Sequence, residues 1–87
     1  MSAYRTLDHH ARPIPLAEIA LGVPLNGFDE ARVQHYADQM ERNRPLVPIT
    51  LTRRADDGRL VVIDGHHRVA AAARCGFLAV PATVISP

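Results

Sequence analysis

The residues whose types and spacing can do chemistry stand together in the string Asp64-Gly65-His66-His67-Arg68. A short apolar run precedes the string and a run of alanines follows it, which predicts a strand that leads into a helix. The N-terminus of a helix presents free backbone N–H groups and the positive end of the helix dipole, and both favour an anion such as phosphate. Gly65 has no Cβ, so a ligand can approach the main chain closely there.

Each polar side chain of the string fits such a site. Arg68, one turn into the helix, can offer its forked guanidinium to a phosphate. Asp64 can hold Mg²⁺, a hard cation that prefers oxygen ligands, or it can orient His67. His66 and His67 can donate hydrogen bonds to phosphate oxygens, or one of them can transfer a proton near neutral pH.

The same residues also fit a purely structural role, and the spacing leaves both interpretations open. Asp64 can cap the helix, Gly65 can serve only the turn, and Arg68 can be a solvated surface charge. A metal pair at His66 and His67 is not expected, because two ligands on one helix face need a spacing of three or four residues.

The clearest helix is predicted over residues 29–43. Asp29 is a suitable N-cap, and the Asp29-Glu30 pair complements the positive end of the helix dipole. Pro45 prevents the helix from continuing. Apolar residues at i, i+3, i+4 and i+7 form one stripe that we expect to face the core. The stripe consists of Val33, Tyr36, Ala37 and Met40.

Two strands are predicted between this helix and the polar string. Residues 48–53 alternate apolar and polar side chains, as a half-buried strand does. Residues 60–63 form a continuous, largely β-branched run, which favours a strand buried on both faces. The connection at 55–58 ends in Asp57-Gly58, a hairpin signal, so we expect the two strands to pair antiparallel.

The remaining predicted elements are shorter. A helix is expected over 66–75 with Gly76 as its stop, followed by a final strand at 82–85. Near the N-terminus, residues 13–16 are expected to form an edge strand or an extended entry, and residues 16–21 one helical turn.

Length and charge limit the fold and the partners. A chain of 87 residues has room for one domain, predicted at 13–87 after a flexible lead-in at 1–12. The expected class is α/β (α+β), a small mixed sheet with helices packed on it. A net charge of +1 gives no strong footprint for nucleic acid or membrane. The sequence has neither a membrane-spanning apolar run nor a hydrophobic signal region, so we expect a cytoplasmic protein with no membrane partner.

Residues 60–84 resemble the core of the ParB N-terminal domain and its sulfiredoxin relatives. Gly65, Arg68 and Ala71 fit the Gly-x-x-Arg-x-x-Ala frame of that group, while Ala70 stands where ParB usually has a second Arg. The long helix and the stretch 44–49, with its Pro-Ile pair, extend the resemblance over about residues 13–86. The resemblance implies a ParB/sulfiredoxin-like fold.

Two branches of this group imply different activities. Sulfiredoxin carries a catalytic Cys in the corresponding string, where this chain has His66, and Cys75 lies too far along the helix to replace it. Sulfiredoxin activity is therefore not expected, and Cys75 is interpreted as a small buried hydrophobic residue. The free serine kinases resemble this chain in the Asp-Gly-His-His-Arg string itself. That resemblance implies that Asp64 and an upstream carboxylate, here Glu18, serve proton abstraction and metal positioning.

Together these observations predict a domain that binds nucleotide phosphate. The expected ligands are a nucleoside triphosphate or diphosphate (ATP, ADP or CTP) and Mg²⁺, with slow hydrolysis or phosphotransfer as an extension. The predicted catalytic residues are Asp64, His67 and Glu18, although Glu18 also fits a solvent-facing helix position. The predicted ligand-binding residues are Gly65, His66, His67 and Arg68, with Asp64 as the metal ligand.

Two other functions are compatible with the sequence. One is a DNA-associated, ParB-like partition or regulatory module that reaches DNA only through a partner chain. The other is a protein-interaction adaptor without catalysis, acting with a protein partner or as a homodimer paired through an apolar edge strand.

Overall fold

A five-stranded mixed sheet and two helices make up residues 11–85, the part of the chain that the computed structural model describes. The strands are β1 (Arg12–Pro15), β2 (Ile19–Ala20), β3 (Ile49–Arg53), β4 (Leu60–Asp64) and β5 (Ala79–Ile85). The helices are α1 (Glu30–Glu41) and α2 (His66–Arg74), and Leu16–Glu18 form a 3₁₀ turn. The expected class, a small mixed sheet with helices packed on it, is confirmed.

The sheet has the strand order β1-β5-β3-β4-β2. β1 and β5 pair antiparallel, as do β3 and β4, whereas β3 pairs with β5 and β2 with β4 in parallel. The predicted hairpin between β3 and β4 is therefore confirmed. Asp57 stabilises its turn by accepting from the Arg59 N–H (3.0 Å) and from the Arg54 guanidinium. The hydrogen bond from the Arg54 guanidinium holds the pKa of the Asp57 carboxyl well below its usual range.

The core lies against one face of the sheet. The strand register places Ile49 and Leu51 of β3 beside Ala82 and Val84 of β5, and Leu51 opposite Val62 of β4. Ile49 and Leu51 have no exposed surface. The prediction that residues 60–63 are buried on both faces was wrong. Since the core covers one face only, burial along β4 alternates, and Ile63 is 52% exposed.

Helix α1 begins as the sequence predicts. The Asp29 carboxylate accepts hydrogen bonds from the N–H groups of Ala31 (2.9 Å) and Arg32 (3.4 Å), which satisfies two of the free donors of the first turn. The helix ends at Glu41, two residues before the predicted end. Asn43 has a φ of 56°, a left-handed conformation that cannot continue the helix.

Helix α1 packs against α2, and α2 in turn contacts β3 and β5. Small side chains allow the close approach, since Ala37 of α1 and Ala71 and Ala72 of α2 are almost completely buried. At this interface the Cys75 thiol donates to the Ala37 carbonyl at 3.6 Å. Burial raises the pKa of the thiol, so Cys75 is not an activated nucleophile.

Two shorter elements differ from their predictions. The helical turn predicted at 16–21 stops at Glu18, because Ile19 adopts extended backbone angles and starts β2. The final strand begins at Ala79 rather than at 82. Pro81 is tolerated there because it pairs with Pro13, which also lacks an N–H, and the pairing with β3 starts only at the next residue.

The predicted lead-in at 1–12 is described only at its end. Residues 1–10 lie outside the described residues, whereas Arg12 belongs to β1 and pairs with Ala82. Neither helix within residues 11–85 is long and apolar enough to cross a membrane.

An ion pair that joins the two helices should make stability depend on pH. Arg74 donates to both carboxylate oxygens of Glu30, at 2.5 and 2.9 Å, and these bonds hold the pKa of Glu30 below its ordinary 4.5. A carboxyl group with a lowered pKa in the folded state stabilises that state at pH values above its ordinary pKa. This contribution is lost as the pH falls through the pKa of the folded state. We expect wild type to be slightly more stable than Glu30→Gln at neutral pH and equally stable in acid.

Urea unfolding of both proteins, from neutral pH into acid, measures the difference between their free energies of unfolding. Because both ions are exposed, added NaCl should reduce it. A difference between the two proteins that persists unchanged below the Glu30 pKa would contradict the assignment.

Candidate functional site

An irregularity in β4 turns Asp64 away from the core. Thr50 is opposite Asp64 but Leu51 is opposite Val62, so Ile63 is an extra residue in β4, a β-bulge. Without the bulge, Asp64 would share the core face of Leu60 and Val62. With it, Asp64 ends the strand with its side chain 76% exposed.

Gly65 is required by the backbone and by its surroundings. Its φ is 114°, in the region that side-chain-bearing residues rarely adopt, and it caps α2 without any side-chain hydrogen bond. A Cβ built on Gly65 would lie 2.5 Å from Ile49 Cγ2 and 2.8 Å from Ile49 Cβ. Both the turn and the tight packing of α2 on β3 therefore depend on this glycine.

The first turn of α2 offers backbone donors. The Val69 N–H bonds to the Gly65 carbonyl at 3.0 Å, so intrahelical bonding begins there. The N–H groups of residues 66–68 precede it and are the free donors typical of a helix N-terminus. Gly65 has no side chain, so no N-cap group competes with solvent or an anion for these donors.

Arg68 is buried and bonded to its own protein. Its Nη1 donates to the carbonyls of Val47 (2.6 Å) and Pro48 (3.1 Å), and its Nη2 donates to Asp64 Oδ2 (3.1 Å). Only 10% of the side chain is exposed, so the interpretation as a solvated surface charge was wrong. The guanidinium ties the segment before β3 to the junction of β4 and α2.

His67 connects the N-termini of the two helices. Its Nε2 accepts a hydrogen bond from the Asp29 N–H at 3.0 Å, so the proton of the neutral ring is on Nδ1. The ring is buried and meets Phe28 edge to face, with 5.6 Å between the ring centroids. In this arrangement His67 positions α1, and its Nε2 is not a free base.

A pocket of about 230 Å³ opens beside this junction. All five residues of the sequence string border it, so the structure brings them together as expected. The other lining residues are Pro24 of the loop after β2, and Arg32 and Tyr36 of α1. Within residues 11–85 Arg32 has no carboxylate partner, and it is exposed.

Arg32 was not among the predicted site residues. One signal was available, since Arg32 and Tyr36 are four residues apart and therefore share a helix face. The hydrogen bond between the Asp29 N–H and His67 turns this face of α1 toward the polar string. The sequence does not reveal this bond.

A larger pocket, of about 370 Å³, adjoins the first one. Tyr36 and Arg68 border both pockets and separate them. The remaining walls come from α1 and from the segment before β3, and they combine apolar and polar groups. These lining residues are His35, Gln39, Pro45, Leu46 and Val47.

Glu18 is not brought together with the polar string. β2 runs parallel to β4 with Ile19 opposite Leu60, so Glu18 lies beside the start of β4 and Asp64 lies at its end. At about 3.3 Å per residue the two carboxylates are separated by roughly the length of the strand. Glu18 is exposed and does not line the pocket.

The carboxylate and imidazole groups near the junction do not form a preformed metal cage. Among the described residues, no group of three or more His, Cys, Asp or Glu side chains is arranged to hold a metal ion. Asp64 alone can contribute one carboxylate, which suits Mg²⁺ only where ligand phosphates and waters supply the other positions.

Three of the solved structures that are similar to this fold show the range of its relatives. Sulfiredoxin from Arabidopsis thaliana has a TM-score of 0.71 at 22% identity, covering 88% of this chain and 85% of that one. C-terminally truncated ParB from Caulobacter crescentus, complexed with CTP-gamma-S, has a TM-score of 0.74 at 24% identity, covering 88% and 44%. SbnI with C-terminal truncation from Staphylococcus aureus has a TM-score of 0.69 at 28% identity, covering 87% and 30%.

The chain thus has a ParB/sulfiredoxin-like fold, as its sequence resemblance implies. It spans less than half of the ParB and SbnI chains that it matches. No model of a protein family matches the sequence, and no curated protein sequence does so either.

Replacing Gly65 by Ala should destabilise the domain by about 3 kcal/mol, because strained backbone and the clash with Ile49 add together. Gly58→Ala is a matched control: Gly58 also has a positive φ, of 70°, but a Cβ there meets nothing within 4 Å. The control should cost only about 1 kcal/mol. Urea unfolding measures both free energies, and equal losses would show that the contact with Ile49 does not matter.

Replacing Arg68 by Ala should destabilise the domain by about 2–4 kcal/mol, since two backbone carbonyls lose their buried donor. Arg42→Ala removes the same charge from an exposed position and should change stability by less than about 0.5 kcal/mol. Chemical unfolding without any ligand measures both. An Arg68→Ala protein as stable as wild type would show that the guanidinium is free for a ligand instead.

Proposed function

We propose that this domain binds the phosphate groups of a nucleotide in the pocket at the N-terminus of α2. One observation carries the proposal: the first turn of α2, which no N-cap side chain occupies, lines the same pocket as Arg32, which has no carboxylate partner within residues 11–85. A helix N-terminus attracts an anion through its N–H groups and its dipole, and a guanidinium adds a charge-assisted bond.

The charges that line the pocket favour an anion. Among the described lining residues, Arg32 and Arg68 supply two guanidinium groups and Asp64 the single carboxylate. Asp64 is bonded to Arg68, and no carboxylate within residues 11–85 pairs with Arg32. His66, half-buried at the first position of α2, adds a further donor from its ring.

The adjoining pocket of about 370 Å³ gives room for the nucleoside. Its apolar walls at Pro45, Leu46 and Val47 suit the face of a base, and its polar groups at His35 and Gln39 suit the base edge or the sugar. A phosphate at α2 and a base in this pocket would be joined past Tyr36 and Arg68. The ParB structure of the same fold is a complex with CTP-gamma-S, which supports a nucleotide as the ligand class.

Asp64 and His67 receive different roles in this proposal. Asp64 is the one carboxylate among the described lining residues. It would hold Mg²⁺ together with ligand phosphates, or accept a proton from an attacking water or hydroxyl group in slow hydrolysis or phosphotransfer. His67 would act as a positioning residue, since its Nε2 holds α1 and thereby places Arg32. Glu18, at the other end of β4, has no part in the proposed chemistry.

Nucleotide binding should raise the thermal stability of the domain, and Arg32→Gln should reduce that effect. A ligand at a hundred times its dissociation constant adds about 2.7 kcal/mol, a large shift for a small domain. Loss of the Arg32 charge should weaken binding about tenfold. Thermal unfolding with ATP, ADP, CTP and GTP, each with and without Mg²⁺, measures the effect and identifies the preferred nucleotide.

Arg42→Gln is the control, because it removes the same charge from the other end of α1, outside both pockets. It should respond to nucleotide as wild type does. Equal responses of all three proteins would remove Arg32 from the site. No stabilisation by any nucleotide would contradict the proposal and favour the adaptor function, whereas a salt-dependent shift of DNA in a gel would favour the DNA-associated one.

A further inference from the structure

The core face of the sheet is covered at one end only. Through the strand register, alternate residues of β1, β5, β3 and β4 share this face. At the end near α2 its residues are fully buried, as Ile49 and Val80 show. At the opposite end the same face presents Arg12, Arg53 and Val84, all of them exposed. The helices therefore leave this end of the sheet open.

A pocket of about 360 Å³ lies on the open end. It is separate from the two pockets at α2, with which it shares no residue. Four apolar residues, Ile14, Leu60, Ala82 and Val84, form its floor, and Thr83 also lines it. Arg12 of β1 and Arg53 of β3 also line it and belong to strands on the two sides of β5.

The two arginines have no opposite charge beside them in the described part of the chain. Among residues 11–85, no carboxylate forms an ion pair with either arginine and none lines the pocket. One Nη1 hydrogen bond from Arg53 to the Gly58 carbonyl (3.1 Å) fixes its side chain against the hairpin. Within residues 11–85, no carboxylate occupies the remaining guanidinium donors of either residue.

We propose that this pocket binds a small organic anion with a carboxylate head and a short apolar body. A guanidinium presents a planar fork that matches a carboxylate, and the two forks flank an apolar floor. The floor favours an apolar body over a fully hydrated inorganic ion, because burying apolar surface contributes to binding. The proposal is independent of nucleotide binding at α2.

Hexanoate is the probe for this site. Acetate presents the carboxylate head without the apolar body, and hexan-1-ol presents the apolar body without the carboxylate. NMR titration of the isotope-labelled domain should show saturable shifts of the methyl groups of Ile14, Leu60, Ala82 and Val84 with hexanoate. Binding should be about tenfold weaker for hexan-1-ol, which lacks the charge-assisted bonds. Acetate should also bind more weakly, and added NaCl should weaken hexanoate binding.

Arg12→Gln and Arg53→Gln should each weaken hexanoate binding about fivefold, whereas Arg42→Gln should not change it. Glutamine at position 53 keeps an amide donor for the Gly58 carbonyl, and spectra without ligand check that each variant folds. Equal affinities for hexanoate and hexan-1-ol would overturn the proposal on wild type alone. Unchanged binding by both variants, or shifts confined to residues at α2, would also overturn it.

Discussion

The structure depends on the set of hydrogen bonds that the buried Arg68 guanidinium makes. It joins the Val47 and Pro48 carbonyls, twenty or more positions away in the sequence, to Asp64 at the end of β4. These bonds hold the entry to β3, the end of β4 and the first turn of α2 in one arrangement. A buried charge is stable only where its donors are satisfied, so this region cannot loosen without a large loss of free energy.

This constraint divides the conspicuous polar string into residues that build the junction and groups that face the pocket. Arg68 and His67 form hydrogen bonds with other protein groups. Position 65 must be glycine, because its φ is positive and a Cβ there would clash with Ile49. The residues of the first turn of α2 line the pocket together with Arg32. Phosphate recognition at this junction would then depend on backbone N–H groups of α2 and on the Arg32 guanidinium of α1. The side chains of the polar string would hold the junction in shape.

The elements that follow from local pattern could be predicted from the sequence. Asp29 caps α1 as its residue type indicates, and Asp57-Gly58 forms the predicted hairpin. Contacts between distant segments could not be predicted, because no local signal encodes them. The partners of Arg68, the bond from Asp29 to His67 and the parallel pairing of β2 with β4 are of this kind. The bulge at Ile63 also escaped prediction, since a continuous apolar run gives no sign of a shift in register.

In the proposed function, the N-terminus of α2 binds phosphate through its backbone N–H groups. A ¹H–¹⁵N NMR titration with the nucleotide that stabilises the domain most tests this directly, by following the amide resonances of residues 66–68. We expect these amides to shift saturably and more than those of the β3–β4 hairpin, because an N–H that bonds a phosphate oxygen changes its chemical environment most. Unmoved amides at 66–68 under saturating nucleotide, with shifts elsewhere or none, would contradict the account.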